Sequence, residues 1–520
     1  MANVKRLSCQ QAAELIQDDD KVILGGFIGA VVPEAIEEAV GQRFLTTGQP
    51  KNLELIFAAG QGDGKSKAVN HLSHEGMVKN AIGGHWGLIP KLQTLANEGK
   101  ITGFNLPQGI ICQLFRDSAA GKPGCISHVG LGTFVDPRVE GGKINPQTKE
   151  ERVQLTEVAG KEYLFYSRLD GDIALLRGTT ADESGNISME DECLVLENLA
   201  IAQLVHNQGG KVIVQVKDVV PTGTLAPHSV RIPGIFVDAV VVSNLDQHMQ
   251  TFEEPMNQTY VGRGEADKSL CAALSPRKLD AKKIIARRAA MELRQGAIVN
   301  YGIGAPEVIA EVTDEEGVSD LVISTVEPGA IGGTPAGGLS FGASAFPEAI
   351  ITQDQMFDFY DGGGLDQAFL GLAETDRKGD INVSKFGTKI AGCGGFINIT
   401  QNAKQVFFCG TFTAGRSVIY GKEGKLTIEE DGTIDKFIQH VQQITFSSDT
   451  ARVNNKPVMY ITERAVFQLS ASTIELIELA PGVDLERDVL NRMDFKPDIS
   501  RHLKLMDEKI FVDKTMGLTL

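Results

Sequence analysis

Short apolar runs alternate with segments of helical periodicity along much of this chain, and several apolar runs end in glycine or proline. Residues 21–24 lead into Gly25-Gly26, and residues 321–326 stop just before Pro328-Gly329. Such β-branched and aliphatic runs are typical of buried strands. Strands that alternate with helices predict βαβ units. The expected fold class is therefore α/β, with largely parallel sheets.

The same pattern occurs twice, which indicates a diverged duplication. Residues 21–34 run from a strand through a glycine-rich turn into a helix led by proline and glutamate, and residues 296–307 repeat this order. Proline followed by an acid is favourable in the first turn of a helix. Residues 172–187 are similarly matched by residues 366–381. We therefore expect two related open α/β domains.

The polar stretch 250–275 lacks clear periodicity, so we place the domain boundary there. This gives an N-terminal domain over 1–275 and a C-terminal domain over 276–520. The second domain is expected to begin with a basic amphipathic helix, in which Arg287 and Arg288 occupy a solvated face. Near its end, two apolar runs, 458–462 and 473–479, are predicted to form paired strands.

Glu327 is the only ionisable residue in the glycine-rich segment 325–342. It stands where a predicted core strand ends, and ligands of open α/β sheets bind at the carboxyl ends of strands. Pro328 restricts its backbone. The equivalent stretch of the first half, 58–64, has no glutamate. The pattern predicts a nucleophile or base at a site between the domains, while an acid that caps the next helix or turn remains an alternative.

The composition excludes several classes of protein. The 520 residues carry a formal net charge of -17, which disfavours nucleic acid and anionic membrane surfaces as partners. No apolar run reaches the length of a membrane span, and the N-terminus lacks the apolar core of a signal peptide. The seven cysteines show no Cys-x-x-Cys spacing and no His-Glu-x-x-His motif occurs, so we expect neither a metal site nor a disulfide framework. A cytoplasmic location is expected.

Several glycine-rich motifs, taken together and in order, carry a resemblance to a known family. The chain resembles family I coenzyme A transferases, and in particular the single-chain acetate/propionate type, over almost its whole length. One departure is Pro328, where many two-subunit members have asparagine. The motifs are Glu327-Pro328-Gly329-x-x-Gly332-Gly333, Asn300-x-Gly302-x-Gly304-x-Pro306, Gly362-Gly363-Gly364-Leu365-Asp366, Gly392-Cys393-Gly394-Gly395-Phe396, Asn105-Leu106-Pro107-Gln108-Gly109 and Gly84-His85-Trp86-Gly87.

The resemblance implies an enzyme that exchanges CoA between a short-chain acyl-CoA and a small carboxylic acid. Glu327 would attack the thioester, giving an acyl-glutamyl anhydride and then a glutamyl-CoA thioester. Coenzyme A would thus be both substrate and covalent intermediate, and no prosthetic group would be needed. Such proteins are usually homo-oligomers, and we favour a tetramer.

The resemblance also implies roles for residues outside the glutamate motif. The Gly395 amide, in the 392–395 loop, and the Gln108 side chain are the expected donors to the oxyanion. The remaining residues are expected to bind CoA through backbone amides near a helix N-terminus or within the 392–395 loop. They are Asn300, Gly302, Gly304, Gly392 and Gly394.

Several alternatives stay open from the sequence. An acyl-CoA hydrolase could use the same scaffold, and a CoA-binding regulatory protein would show no turnover. Residues 59–66 fit a relaxed P-loop, so a nucleotide-dependent enzyme using Lys65 is a further alternative to a plain turn. His85 could polarise a carbonyl or be a hydrogen-bonded structural residue. Cys393 could be a nucleophile, although a buried small apolar role is favoured because no partner histidine is evident.

Overall fold

The computed structural model describes residues 4–263 and 277–520. The predicted domain boundary after residue 275 lies outside these described residues, so the division at that point stays a prediction. None of the described helices is long and apolar enough to cross a membrane. The described α-helices are α1 (Cys9–Glu14), α2 (Glu34–Thr47), α3 (Pro90–Asn97), α4 (Gln108–Ala119), α5 (Asn198–Asn207), α6 (Ala281–Ala290), α7 (Val308–Glu315), α8 (Gln353–Asp361), α9 (Phe396–Asn402) and α10 (Ser448–Val453).

The described chain divides into two compact units, each with its own apolar core. The chain passes from one unit to the other more than once, so two segments from the second half of the sequence belong to unit 1. Unit 1 comprises residues 4–263, 326–358 and 385–398, and unit 2 comprises residues 277–325, 359–384 and 399–520. Both Glu327 and the glycine loop 392–395 therefore lie in unit 1.

Unit 1 contains an eight-stranded sheet in which every neighbouring pair is parallel. The spatial order is β1-β8-β7-β6-β2-β3-β4-β5. The central strands are largely buried, and β3 and β6 are buried along their whole length, as expected for a parallel sheet that is covered by helices. The strands are β1 (Lys5–Leu7), β2 (Lys21–Leu24), β3 (Leu53–Phe57), β4 (Val78–Gly83), β5 (Thr102–Asn105), β6 (Ile173–Arg177), β7 (Lys211–Val216) and β8 (Ala239–Val242).

Unit 2 contributes eight strands to a second, ten-stranded sheet, and their spatial order is β10-β9-β11-β12-β13-β14-β15-β16. Its strands are parallel from β10 to β13 and again between β15 and β16, and antiparallel between β13, β14 and β15. The strands are β9 (Ile298–Tyr301), β10 (Ile323–Thr325), β11 (Gln367–Gly371), β12 (Gln405–Cys409), β13 (Val458–Ile461), β14 (Ala465–Leu469), β15 (Ile474–Leu479) and β16 (Asp498–Leu505).

Both units contain further strands. The first set, in unit 1, is Gly124–Ser127, Val153–Val158, Lys161–Ser167, Thr180–Asp182, Ile187–Ser188, Asp218–Val220, Val230–Ile232, Ala330–Ile331, Thr334–Pro335, Ser344–Ala345, Ala349–Ile350, Lys385–Phe386 and Lys389–Ile390. The second set, in unit 2, is Glu374–Asp376, Ile381–Asn382, Thr413–Ala414, Val418–Lys422, Lys425–Glu430, Ile434–Asp435 and Phe437–Ile438.

Matching hydrogen bonds in the two units support the duplication predicted from the sequence. The Asp172 side chain accepts from the amide of Lys21 at 2.8 Å, which ties the start of β6 to the start of β2. The Asp366 side chain accepts from the amide of Ile298 at 2.9 Å, which ties β11 to β9 in the same way. The predicted α/β class with largely parallel sheets is confirmed.

The predicted pairing of the runs 458–462 and 473–479 is wrong. Both runs form strands, β13 and β15, but β14 lies between them and pairs with each. The residues of β14 were not assigned to a strand from the sequence.

The prediction that Arg287 and Arg288 form a solvated face is also wrong, because both side chains are buried in unit 2. The Arg288 guanidinium donates to both carboxylate oxygens of Glu478, at 2.6 and 2.9 Å. Arg287 donates to backbone carbonyls near the C-terminus, including that of Val512 at 2.6 Å. The charged face of α6 is therefore buried inside unit 2, where its arginines are paired with polar groups.

Replacing Arg288 by alanine is expected to destabilise unit 2 by roughly 3–5 kcal/mol, because the Glu478 carboxylate would lose its buried partner. The free energy of unfolding measured in guanidinium chloride checks this value. Arg501→Ala, on the exposed strand β16, is the control and should change stability by no more than about 0.5 kcal/mol. Equal stability of the two variants would contradict the assignment.

Candidate active site

Glu327 lies two residues beyond the end of β10, in a turn closed by backbone hydrogen bonds. The Gly329 amide donates to the Val326 carbonyl and the Val326 amide donates to the Ala330 carbonyl, both at 3.0 Å. Gly329 has a φ of 126°, and a Cβ there would overlap the Ile351 carbonyl, so no other residue fits. Glu327 itself is partly exposed. The turn therefore fixes the backbone of the carboxylate while leaving the side chain accessible.

An apolar cluster of unit 1 supports this turn. Val326 is buried in it together with Phe27 and Phe341, whose rings stack with centroids 6.1 Å apart. Pro328 and Phe27 both lie against Gly342, where an added Cβ would come within 3.1 Å of the proline ring and 2.7 Å of the phenylalanine ring. A carboxylate next to such an apolar surface loses part of its hydration, which favours nucleophilic attack.

The glycine loop 392–395 is tied to the first-half segment of unit 1 by backbone contacts. The Gly394 amide donates to the Gly84 carbonyl at 2.8 Å, and the Gly394 carbonyl accepts from the Gln108 amide at 2.9 Å. Gly392 forms an antiparallel bridge with His85. These contacts hold the loop in one conformation at the N-terminus of α4.

Asn105 is a positioning residue that sequence reasoning missed, although it stands in a motif that carried the resemblance. Its side-chain oxygen accepts from the Cys393 amide at 3.0 Å. Its side-chain nitrogen donates to the carbonyls of Gly83 and Gly84, at 2.9 and 2.6 Å. A single carboxamide at the end of β5 therefore joins the glycine loop to the end of β4.

Two hydrogen-bond donors remain unused at this loop. Gln108 is the first residue of α4 and is only 2% exposed, and its side-chain nitrogen has no hydrogen-bond partner among the described residues. The Gly395 amide likewise donates no hydrogen bond within the described parts of the chain. The Gly394 amide, by contrast, already donates to the Gly84 carbonyl. An unsatisfied buried donor is costly and therefore indicates a missing acceptor.

The predicted CoA-binding residues of the second half lie in unit 2. Asn300 is fully buried and its side-chain nitrogen donates to the Thr325 carbonyl and the Tyr360 hydroxyl, both at 3.3 Å. Asn300 thus supports the end of β10, just before the turn that carries Glu327. The Gly302 amide donates to the Phe369 carbonyl at 2.8 Å. Their role in binding CoA stays a prediction.

Gly304 lies in the loop between β9 and α7 and has a φ of 99°. Its backbone donates to the carboxyl group of Glu307. Burial nevertheless raises the pKa of Glu307. No side chain lies within 4 Å of a Cβ built on Gly304, so the loop offers open space beside this glycine.

The backbone amides of the P-loop-like stretch donate to an acidic side chain of the same stretch. The Asp63 side chain accepts from the amides of Lys65, Ser66 and Lys67, at 2.8, 2.8 and 3.1 Å. Burial alone would raise the pKa of Asp63, but these backbone hydrogen bonds outweigh it and lower that pKa. The amides that would cradle a phosphate in a P-loop are therefore occupied by a carboxylate.

The structure gives neither a reactive environment for Cys393 nor a metal-binding cluster among the described residues. Cys393 is 4% exposed, and burial raises the pKa of its thiol, so it behaves as the small apolar residue that we expected. Among the described residues no cluster of three or more histidine, cysteine or acidic side chains could hold a metal ion. One alternative for His85 was a structural role with a hydrogen bond from its ring. The ring makes no such hydrogen bond among the described residues.

The sequence matches a family model and several known proteins. A family model described as coenzyme A transferase matches residues 6–243. The chain is 45% identical over 515 residues to the acetate CoA-transferase YdiF of Escherichia coli O157:H7, covering 99% of this chain and 96% of the relative. It is 43% identical over 519 residues to the caffeate CoA-transferase of Acetobacterium woodii, covering 99% and 98%.

A solved structure shows the same fold. It is the acyl-CoA transferase YdiF of Escherichia coli O157:H7 in a thioester complex with CoA. The TM-score is 0.94 at 43% identity, over 100% of this chain and 98% of that chain. This structural match extends over both units and includes the turn and the glycine loop described above.

Lys65→Ala is expected to leave nucleotide binding unchanged, because the loop amides are already taken by Asp63 and offer no phosphate cradle. Calorimetric titration with Mg·ATP should show no binding in the parent protein or in the variant. Lys51→Ala, another exposed lysine, serves as the control. Saturable ATP binding that disappears only in Lys65→Ala would contradict this interpretation.

Proposed function

The chain belongs to the coenzyme A transferase family, and we propose that it transfers CoA from a short-chain acyl-CoA to a small carboxylic acid through Glu327. The observation that carries the proposal is the locked turn of Glu327 in the same compact unit as two unused donors, Gln108 and Gly395. A fixed carboxylate and free donors are the two components that acyl transfer requires.

The reaction divides into two exchanges at Glu327. A carboxylate oxygen of Glu327 attacks the thioester carbonyl, the C–S bond breaks, and the products are an acyl-glutamyl anhydride and CoA thiolate. The thiolate then attacks the glutamyl carbonyl, which releases the donor acid as its carboxylate and leaves a glutamyl-CoA thioester. The acceptor carboxylate reverses both steps and leaves as the new acyl-CoA. No proton is gained or lost in the cycle.

Each step passes through a tetrahedral oxyanion, and we propose that Gln108 and Gly395 stabilise it. The side-chain nitrogen of Gln108 is buried and unpartnered, so it is free to donate a hydrogen bond to a negatively charged oxygen. Backbone ties to Gly84 and to the Gln108 amide fix the loop that carries Gly395. A preplaced donor of this kind typically contributes about 3–4 kcal/mol to transition-state stabilisation.

We propose that CoA binds along the loops that contain Asn300, Gly302 and Gly304, with Gly392 and Gly394 shaping the end nearest the thioester. Most contacts of such a long ligand lie far from the sulfur, and their binding energy can drive the covalent steps. We further propose a cytoplasmic homo-oligomer, with a tetramer favoured. The relatives act on acetate and on caffeate according to their names, so the acid range of this scaffold is broad.

Incubating the protein with acyl-CoA in the absence of an acceptor is expected to attach CoA covalently to the Glu327 peptide. Peptide mass spectrometry identifies the adduct, and Glu327→Ala should abolish both the adduct and CoA exchange. Glu348→Gln replaces an exposed acid of the same segment and should keep both. Continuous release of free CoA without an acceptor would instead indicate a hydrolase.

Gln108→Ala is expected to lower kcat by roughly 10²–10³-fold, because one oxyanion donor is lost. The KM for acyl-CoA should change little, since the donor acts chiefly in the transition state. Steady-state kinetics of acyl exchange measures both constants. Gln154→Ala, on an exposed strand of unit 1, is the matched control. An unchanged kcat in Gln108→Ala would remove Gln108 from the mechanism.

A further inference from the structure

The imidazole of His85 lies in a space that two glycines leave open. A Cβ built on Gly60 would fall 2.5 Å from the ring nitrogen Nδ1, and one built on Gly87 would fall 2.9 Å from Cε1. Gly60 and Gly87 therefore make room for the ring. A Cβ on Gly394 would fall 3.9 Å from Cδ2, an ordinary contact distance, so the ring borders the glycine loop directly.

The backbone of His85 is fixed as firmly as the loop that it borders. Its bridge to Gly392 and the donation of the Trp86 and Gly87 amides to the Ala391 carbonyl, at 2.8 and 2.9 Å, join the two segments. The side-chain oxygen of Gln108 would lie 3.6 Å from the same Cβ on Gly394. The imidazole and the Gln108 carboxamide thus both lie next to this glycine.

His85 keeps its ring nitrogens available. The residue is partly exposed, and no hydrogen bond from its ring occurs within the described residues. Burial, together with the positive charge of Lys389, lowers the pKa of His85 to about 4. At neutral pH the ring is therefore uncharged, with one N–H donor and one acceptor nitrogen.

A neutral donor suits the chemistry proposed above. CoA transfer between carboxylates moves no proton, so an imidazolium would add an acid that could protonate the thiolate or a carboxylate. An uncharged N–H instead donates a hydrogen bond and keeps its proton. Lys389 supplies positive charge near the ring without occupying the same position.

We propose that His85 is a further substrate-binding residue of this site, whose ring N–H donates to the acceptor carboxylate. This inference rests on the proposed function. One oxygen of the acceptor attacks the glutamyl thioester, the C–O bond forms, the C–S bond breaks and CoA thiolate leaves. The other oxygen keeps the hydrogen bond from His85 and becomes the acyl carbonyl oxygen of the anhydride. His85 thus orients small carboxylates for attack.

The test compares His85→Phe, which keeps a flat ring without a donor, with His85→Gln, which restores an N–H. For His85→Phe we expect the KM of the acceptor carboxylate to rise about 10-fold or more, as a hydrogen bond to a charged group is lost. The KM for acyl-CoA should stay within about twofold, because CoA contacts elsewhere dominate it. His85→Gln should recover most of the acceptor affinity. His502→Phe, on the exposed strand β16, is the control.

The covalent CoA adduct on Glu327, formed without an acceptor, separates the two proposals. If His85→Phe still forms the adduct and loses acceptor affinity, the inference holds. An unchanged acceptor KM in His85→Phe, or equal losses in the Phe and Gln variants, would overturn the role of His85 alone. If the parent protein forms no adduct, the proposed function itself fails.

Discussion

The account depends on one constraint, the closed turn that holds Glu327 at the end of β10. A free glutamate side chain samples many rotamers and is well hydrated, and both properties make it a poor nucleophile. Here Gly329 closes the turn in a conformation and a space that only glycine allows, while Val326 anchors it in an apolar cluster. Folding therefore fixes the backbone that carries the carboxylate, and positioning of this kind lowers a reaction barrier.

Only one of the two similar halves of the chain carries the glutamate that we propose as the nucleophile. Asp172 and Asp366 occupy equivalent positions, and each accepts a hydrogen bond from the first residue of the equivalent neighbouring strand, so the two halves are built alike. At the position equivalent to Glu327, however, the first half has the small Ala59, which packs in the cluster under the turn. One copy thus supplies the reacting group and the other supplies part of its support, together with the loops that carry His85 and Gln108.

Local patterns sufficed to predict the strand, the glycine-rich turn and the exceptional position of Glu327. The roles of Gln108 and Gly395 were predicted from the resemblance. The unpartnered side-chain nitrogen of Gln108 is consistent with the role proposed for that residue. What the sequence could not reveal are partners distant along the chain. Arg288 seemed solvated because Glu478 lies 190 residues away, and Asn105 gave no sign of its bond to Cys393. The strand β14 was missed for the same reason, because its position in the sheet depends on pairing with β13 and β15.

The most direct test of the central claim follows an oxygen atom. With an acceptor acid labelled with ¹⁸O in its carboxylate, attack on the glutamyl thioester places one labelled oxygen between the two carbonyls of the anhydride. Thiolate attack on the acyl carbonyl then leaves that oxygen on the enzyme. After one turnover, mass spectrometry should find a single ¹⁸O in the Glu327 peptide and nowhere else in the protein. An unlabelled Glu327 after complete exchange would contradict the account.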